Sequence, residues 1–170
     1  MDLAKSNHEE MLMASLQEDL AQVFDKISKP EKAIQFYKRS LQLNTKLDNK
    51  LAMQKNNLAL GRIYLSLEKL DSAYYFINKS LELSAQQKSA NAFYESKIEL
   101  ANLFYFKKEF DKLNAVIQEI DTAIDKPKQD FFKVRLFVLK GCYALAVQTE
   151  ADALIEFNKA ESLSHQGFTP

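Results

Sequence analysis

The segment KAIQFYKRSLQL, starting at Lys32, returns forty residues later as SAYYFINKSLEL, starting at Ser72. Five of the twelve positions are identical. The same shift, without gaps, leads on to KLNAVIQEIDTA at Lys112 and DALIEFNKAESL at Asp152. The segments upstream of each copy align as well: LQEDLAQVFDKI from Leu16, NNLALGRIYLSL from Asn56, SKIELANLFYFK from Ser96 and LFVLKGCYALAV from Leu136. A fixed period of this length limits the fold severely. One helical hairpin cannot bury its apolar face alone, whereas a stack of hairpins buries a continuous core.

The period comes with only 3 Gly and 3 Pro in 170 residues. Sheets and tight hairpins draw on those residues, so their scarcity favours helices nearly throughout. The spacing predicts helices near 8–27, 30–45, 50–67, 70–85, 90–107, 110–124, 129–148 and 150–165. The breaks are SKP at Ser28, TKLDN at Thr45, EK at Glu68, QQKS at Gln86, KE at Lys108 and DKPK at 125–128. Each repeat is then a helix A, a short turn and a helix B, with units near 10–49, 50–89, 90–128 and 129–167. A single all-α domain over 1–170 is expected, since the length suits one ordinary domain.

The aligned columns say what each helix face is for. One column holds Ala21, Gly61, Ala101 and Gly141, and a second holds Ala33, Ala73 and Ala153, interrupted by Leu113. Glycine inside a helix costs about 1 kcal/mol relative to alanine. Its return in a small-residue column predicts close approach of a neighbouring helix. Large residues recur opposite: Leu20, Leu60 and Leu100; Phe24, Tyr64 and Phe104; Tyr37, Ile77, Ile117 and Phe157. Small set against large at helical spacing is how two helices interlock.

These columns resemble tetratricopeptide repeats, which place Leu, Gly and Tyr on helix A and Ala and an aromatic on helix B. Repeat 2 reads Leu60-Gly61-x2-Tyr64, then Ala73 and Ile77; repeat 1 reads Leu20-Ala21-x2-Phe24, then Ala33 and Tyr37. The leading Trp is replaced by Gln17, Asn57, Lys97 and Phe137, and the closing Pro is missing. The 40-residue period exceeds the 34 of the standard unit. It resembles the extended repeats of bacterial peptide-sensing regulators and kinesin light chains. The resemblance covers about residues 10–165. It implies an α-solenoid of four helical hairpins, about eight helices, wound as a right-handed superhelix.

In that family the A helices line a concave groove. Carried over position by position, the groove columns are Glu18, Leu58, Ile98 and Val138; Asp25, Leu65, Tyr105 and Leu145; Gln22, Arg62, Asn102 and Cys142; and Ser15, Lys55, Glu95 and Arg135. Repeat 1 is acidic there, while repeats 2 to 4 are apolar in the first two columns. The resemblance thus implies a peptide-binding groove of Leu58, Leu65, Ile98, Tyr105, Phe106, Val138 and Leu145, with Lys55, Arg62, Asn102 and Arg135 as polar anchors. The alternative is that these residues fill the interior of longer helices. Helix A of repeat 4, KVRLFVLKGCYALAV, is apolar nearly all round, the composition of a helix covered on more than one side. The carboxylate clamp of chaperone-binding members falls here on Glu18, Gln22, Ala59, Glu95 and Glu99. Three of these five are acidic and would repel a carboxylate.

Reaction chemistry finds little to work with. His8 and His165 are the only histidines and stand near opposite ends, so no catalytic triad is built from them. His8-Glu9-Glu10 lacks a second His at helical spacing and reads as a solvated first turn. Cys142 is the only cysteine, which excludes an internal disulfide and suits a small apolar filler. No catalytic residue, cofactor or metal is expected, and the chain is not expected to be an enzyme. Lys plus Arg number 23 and Asp plus Glu 23, so no net field gathers nucleic acid or a membrane surface. No apolar run reaches the length of a membrane span, and residues 1–15 do not read as a signal peptide.

The leading expectation is a scaffold that binds a protein or peptide segment in its concave groove. The alternative is the signal-input domain of a larger bacterial regulator. A cytoplasmic location is expected, with the extracytoplasmic part of a longer membrane-anchored protein as the alternative. The last helix B turns polar, since Phe36, Phe76 and Val116 give way to Glu156, and Leu41, Leu81 and Asp121 to Glu161. That predicts an end of the stack near Gly167, with self-association through the C-terminal repeat and continuation into a further segment both open.

Overall fold

The computed structural model describes residues 3–123 and 130–166. Among them it is all-helical: α1 (Leu3–Lys26), α2 (Pro30–Lys46), α3 (Lys50–Ser66), α4 (Leu70–Gln86), α5 (Ala90–Phe106), α6 (Phe110–Ala123), α7 (Asp130–Val147) and α8 (Glu150–Gln166). Consecutive helices pack as hairpins, the arrangement of an all-α solenoid, with α1 on α2, α3 on α4 and α7 on α8. The chain divides into two compact units, Met1–Ser96 and Lys97–Pro170, and the division falls within α5. The predicted DKPK break at 125–128 and the predicted end near Gly167 lie outside the described residues.

The forty-residue period resolves into two equal halves. From α2 onward each helix begins twenty residues after the last, at Pro30, Lys50, Leu70, Ala90, Phe110, Asp130 and Glu150. Five turns close in the same way, around residues with positive φ at Ser28, Asp48, Glu68, Lys88 and Lys108, all between 49° and 57°. At the first, Lys29 N–H donates to Phe24 C=O and Ser28 N–H to Asp25 C=O, both at 2.9 Å. The same pair of bonds recurs at each of the other four. This is the Schellman closure, in which a left-handed residue satisfies the helix's last carbonyls. Glycine usually takes that place, but here all five residues carry a Cβ.

In the N-terminal unit the small-residue columns let the helices close in. Ala21, Ala33 and Ala73 are fully buried. A Cβ added at Gly61 would stand 2.7 Å from Ile77 Cγ1 and 3.3 Å from its backbone nitrogen. Phe24 stacks on Phe36 with centroids 5.2 Å apart, and one repeat on Tyr64 stacks on Phe76 at 5.4 Å. A buried polar ladder with the same period runs through this unit. Ser40 Oγ donates to Ala14 C=O at 2.9 Å, and Asn56 Nδ2 donates to Ser40 Oγ at 2.8 Å. One repeat later Gln54 Nε2 donates to Ser80 Oγ at 2.9 Å, and Ser80 and Ser96 hydroxyls lie 2.8 Å apart. Buried polar groups need partners, so a slide of one helix along its neighbour would orphan them. The ladder fixes the register that apolar packing alone leaves loose.

The C-terminal unit repeats the interlock and replaces the ladder with charge. A Cβ at Gly141 would stand 2.4 Å from the Phe157 ring. α6 packs on α7, and Lys140 Nζ pairs with Asp121 at 2.8 Å across that contact. Lys97 pairs with Glu119, and Arg135 Nη2 donates to Glu99 Oε1 at 2.7 Å. Thr149 caps α8, its hydroxyl accepting from Asp152 N–H at 3.1 Å and donating to the Asp152 carboxylate at 2.6 Å.

Candidate functional site

The predicted groove residues separate by unit. In the N-terminal unit Lys55 and Arg62 are exposed, while Leu58 and Leu65 are buried. In the C-terminal unit Ile98 is buried, Asn102, Tyr105 and Arg135 are half-buried, and Phe106, Val138 and Leu145 are exposed. Leu58, Leu65 and Ile98 therefore belong to the core and offer no surface to a ligand.

The C-terminal unit shows why one column can be buried on one helix and exposed on the next. Arg135 of α7 reaches Glu99 of α5, so α7 approaches α5 at that point. Ile98 is next to Glu99 on α5 and is buried. Val138 is its equivalent one repeat on, and among the described residues no further A helix follows α7. Asn102 and Arg135 are also not free anchors. Asn102 Nδ2 donates to Glu99 Oε2 at 3.1 Å while Arg135 holds Oε1, so both serve the same buried carboxylate.

Phe106 at the end of α5 stays open, and so does one side of α7. Phe131, Val138 and Leu145 recur every seven residues and are 65%, 42% and 54% exposed. At 1.5 Å per residue they span about 21 Å along the helix. Arg135 and Cys142 complete the face, both half-buried. Burial pushes the Cys142 thiol up from its ordinary value, which disfavours the thiolate. Phe131 is the residue that the family columns do not point to. Its signal in the sequence is the all-round apolar character of α7.

A different face of α7 lines a cavity of about 800 Å³ within the C-terminal unit. Leu136, Phe137, Ile155 and Leu163 supply its apolar lining, and Lys133 and Lys159 are among its polar lining residues. Lys140 and Lys159 stand over the Phe137 ring at 5.5 Å and 5.7 Å from its centroid, within cation–π range. Their charges are balanced by Asp121 and by Glu156, 2.6 Å from Lys159.

The acidic first repeat forms a second, electrostatic feature. Burial raises the Glu18 carboxyl above its ordinary value, against the pull of Lys55. The Tyr37 hydroxyl is pushed up to about 12 by burial and then by the charges of Asp25 and Glu18, with Arg62 opposing them. A phenol whose pKa is raised in the folded state gives stability that is complete below its unfolded value of 10.0 and is lost as pH rises through about 12. Phenolate absorbance should show the Tyr37 hydroxyl still neutral at about pH 11, as a step present in wild type and lost in Tyr37→Phe that appears only above that pH. Tyr37→Phe should flatten the fall in stability across that window. A Tyr37→Phe variant with an unchanged alkaline slope would contradict the assignment.

Among the described residues no cluster of His, Cys, Asp and Glu could hold a metal ion, and no helix is long and apolar enough to cross a membrane. No protein-family model matches the chain, and a search of curated proteins finds none with significant similarity.

Proposed function

We propose that this chain is a non-enzymatic scaffold of the tetratricopeptide type that binds a helical segment of another protein along α7. The observation that carries this reading is the Phe131, Val138 and Leu145 stripe. Three large apolar side chains in one line on a rigid helix are more than surface chemistry requires, and such patches mark interaction sites. A seven-residue interval is the pitch at which a second helix, apolar at i, i+3 or i+4 and i+7, keeps contact along its length. The Glu99–Arg135–Asn102 cluster ties α7 to α5 beside the stripe, so little ordering remains to be done on binding.

Val138→Glu with Leu145→Glu tests the reading directly. Both positions are exposed, so the double variant should keep its helical spectrum and melting temperature. Amphipathic helical peptides selected by display against the wild-type chain should bind the variant at least tenfold more weakly, about 1.4 kcal/mol. They should bind a Leu154→Glu control as well as wild type. Selected peptides indifferent to the double substitution would count against α7 as the docking helix.

A further inference from the structure

We propose that this chain pairs with a second copy of itself through α1, the two α1 helices lying antiparallel about a two-fold axis. Leu12, Leu16 and Val23 on α1, and Ile27 just past its last residue, are 50% to 58% exposed. At 3.6 residues per turn they fall within about a sixth of the helix circumference. Their spacing is four, seven and four residues, which reads the same in both directions. Two such helices crossing antiparallel between Asp19 and Leu20 set Leu12 against Ile27 of the second copy and Leu16 against Val23. Every apolar residue of the stripe then meets another.

The same positions on later A helices face the preceding B helix. Leu16 aligns with Asn56 and Ser96, and these bond to Ser40 and Ser80, each at 2.8 Å. Val23 aligns with Ile63 and Leu103, both buried. Among the described residues α1 has no preceding B helix. It holds leucine where α3 and α5 hold polar groups bonded to a serine, so the side chain that meets Leu16 is apolar. In the two-fold arrangement that side chain is Val23.

Stacking head to tail fits worse. Asp121 faces the following A helix, where it pairs with Lys140. Glu161 is the equivalent of Asp121 one repeat on, and Leu20 is the equivalent of Lys140 on α1. Placing α1 on the C-terminal end of another copy would therefore set Glu161 against Leu20. The two-fold contact avoids this and closes on itself without an open end for fibre growth. It also brings Glu9, exposed at one end of the stripe, near exposed Lys29 of the second copy. The two copies of exposed Asp19 flank the axis, and their repulsion keeps the association moderate, with Kd on the order of 10 µM.

Sedimentation of the full chain over a range from ~1 to ~200 µM should show a monomer–dimer equilibrium. Leu16→Lys and Val23→Lys should each leave a monomer with an unchanged helical spectrum, and Asp19→Asn should tighten the dimer several-fold. A wild-type chain that stays monomeric over this range overturns the proposal, as does a dimer that survives both lysine substitutions. Orientation is read separately in a Cys142→Ser background. A mixture of Leu16→Cys and Val23→Cys chains should cross-link as the mixed pair faster than either chain with itself. Preferential cross-linking of Leu16→Cys to itself would also overturn it.

Discussion

Arg135→Ala is expected to lower the stability of the Lys97–Pro170 unit by about 3 kcal/mol, although Arg135 is itself partly exposed. The cost lies with Glu99, whose carboxylate is 7% exposed and accepts from Arg135 at 2.7 Å. A guanidinium beside a buried carboxylate offsets much of the free energy of removing that charge from water. Take the guanidinium away and most of that offset is lost. Replacing the carboxylate as well should restore most of the loss. Arg135→Ala with Glu99→Gln should therefore be more stable than Arg135→Ala alone, which a purely additive effect would not allow. Urea unfolding of the four chains measures this. A double variant no better than the sum of the two single variants would show that the pair contributes nothing as a pair.

The second large effect has the opposite sign. Replacing Ser28, Glu68 and Lys88 by glycine together should raise the stability of the Met1–Ser96 unit by about 2 kcal/mol, or roughly 10 °C in melting temperature. All three residues hold positive φ, where a Cβ crowds the following carbonyl at a cost of about 1–2 kcal/mol. Glycine removes that crowding but loses more chain entropy on folding, about 0.5–1 kcal/mol, so each site keeps only part of the gain. Asp48 is left out because its short polar side chain tolerates this conformation. Glu68→Ala is the control, since alanine retains the Cβ and should give no gain. A triple variant that melts no higher than wild type would show that the turns relax out of the left-handed region at little cost.

The turns show where reading the chain succeeds and where it stops. The breaks at Ser28, Glu68 and Lys108 are visible as polar interruptions of an apolar period, and the structure turns at each of them. That these residues adopt a left-handed backbone is not visible, because nothing in Ser, Glu or Lys favours it locally. The strict twenty-residue step between packed helices imposes it. The start of α1 is a smaller miss, predicted near residue 8 and found at Leu3. The opening MDLAKSN carries no breaker, and the first apolar period begins only with Met11.

The polar ladder was equally hidden. Ser40 and Ser80 are identical letters of the repeated phrase, yet a serine on a helix is more often at the surface. Only the approach of α1 to α2, of α3 to both its neighbours and of α4 to α5 turns those hydroxyls into buried partners of Ala14, Asn56, Gln54 and Ser96.

By itself the sequence determined the helices, the hairpin pairing and the interlock of small and large columns. Each depends on the direction in which a side chain leaves its own helix, and the 3.6-residue turn fixes that direction locally. Exposure was decided by the tertiary structure. Ile98 and Val138 occupy the same column, and they differ because α7 reaches α5 next to Ile98, through Arg135 and Glu99, while no further A helix follows α7 among the described residues. Burial is a relation between two bodies, so a column of apolar residues says which face seeks cover without saying whether cover is there.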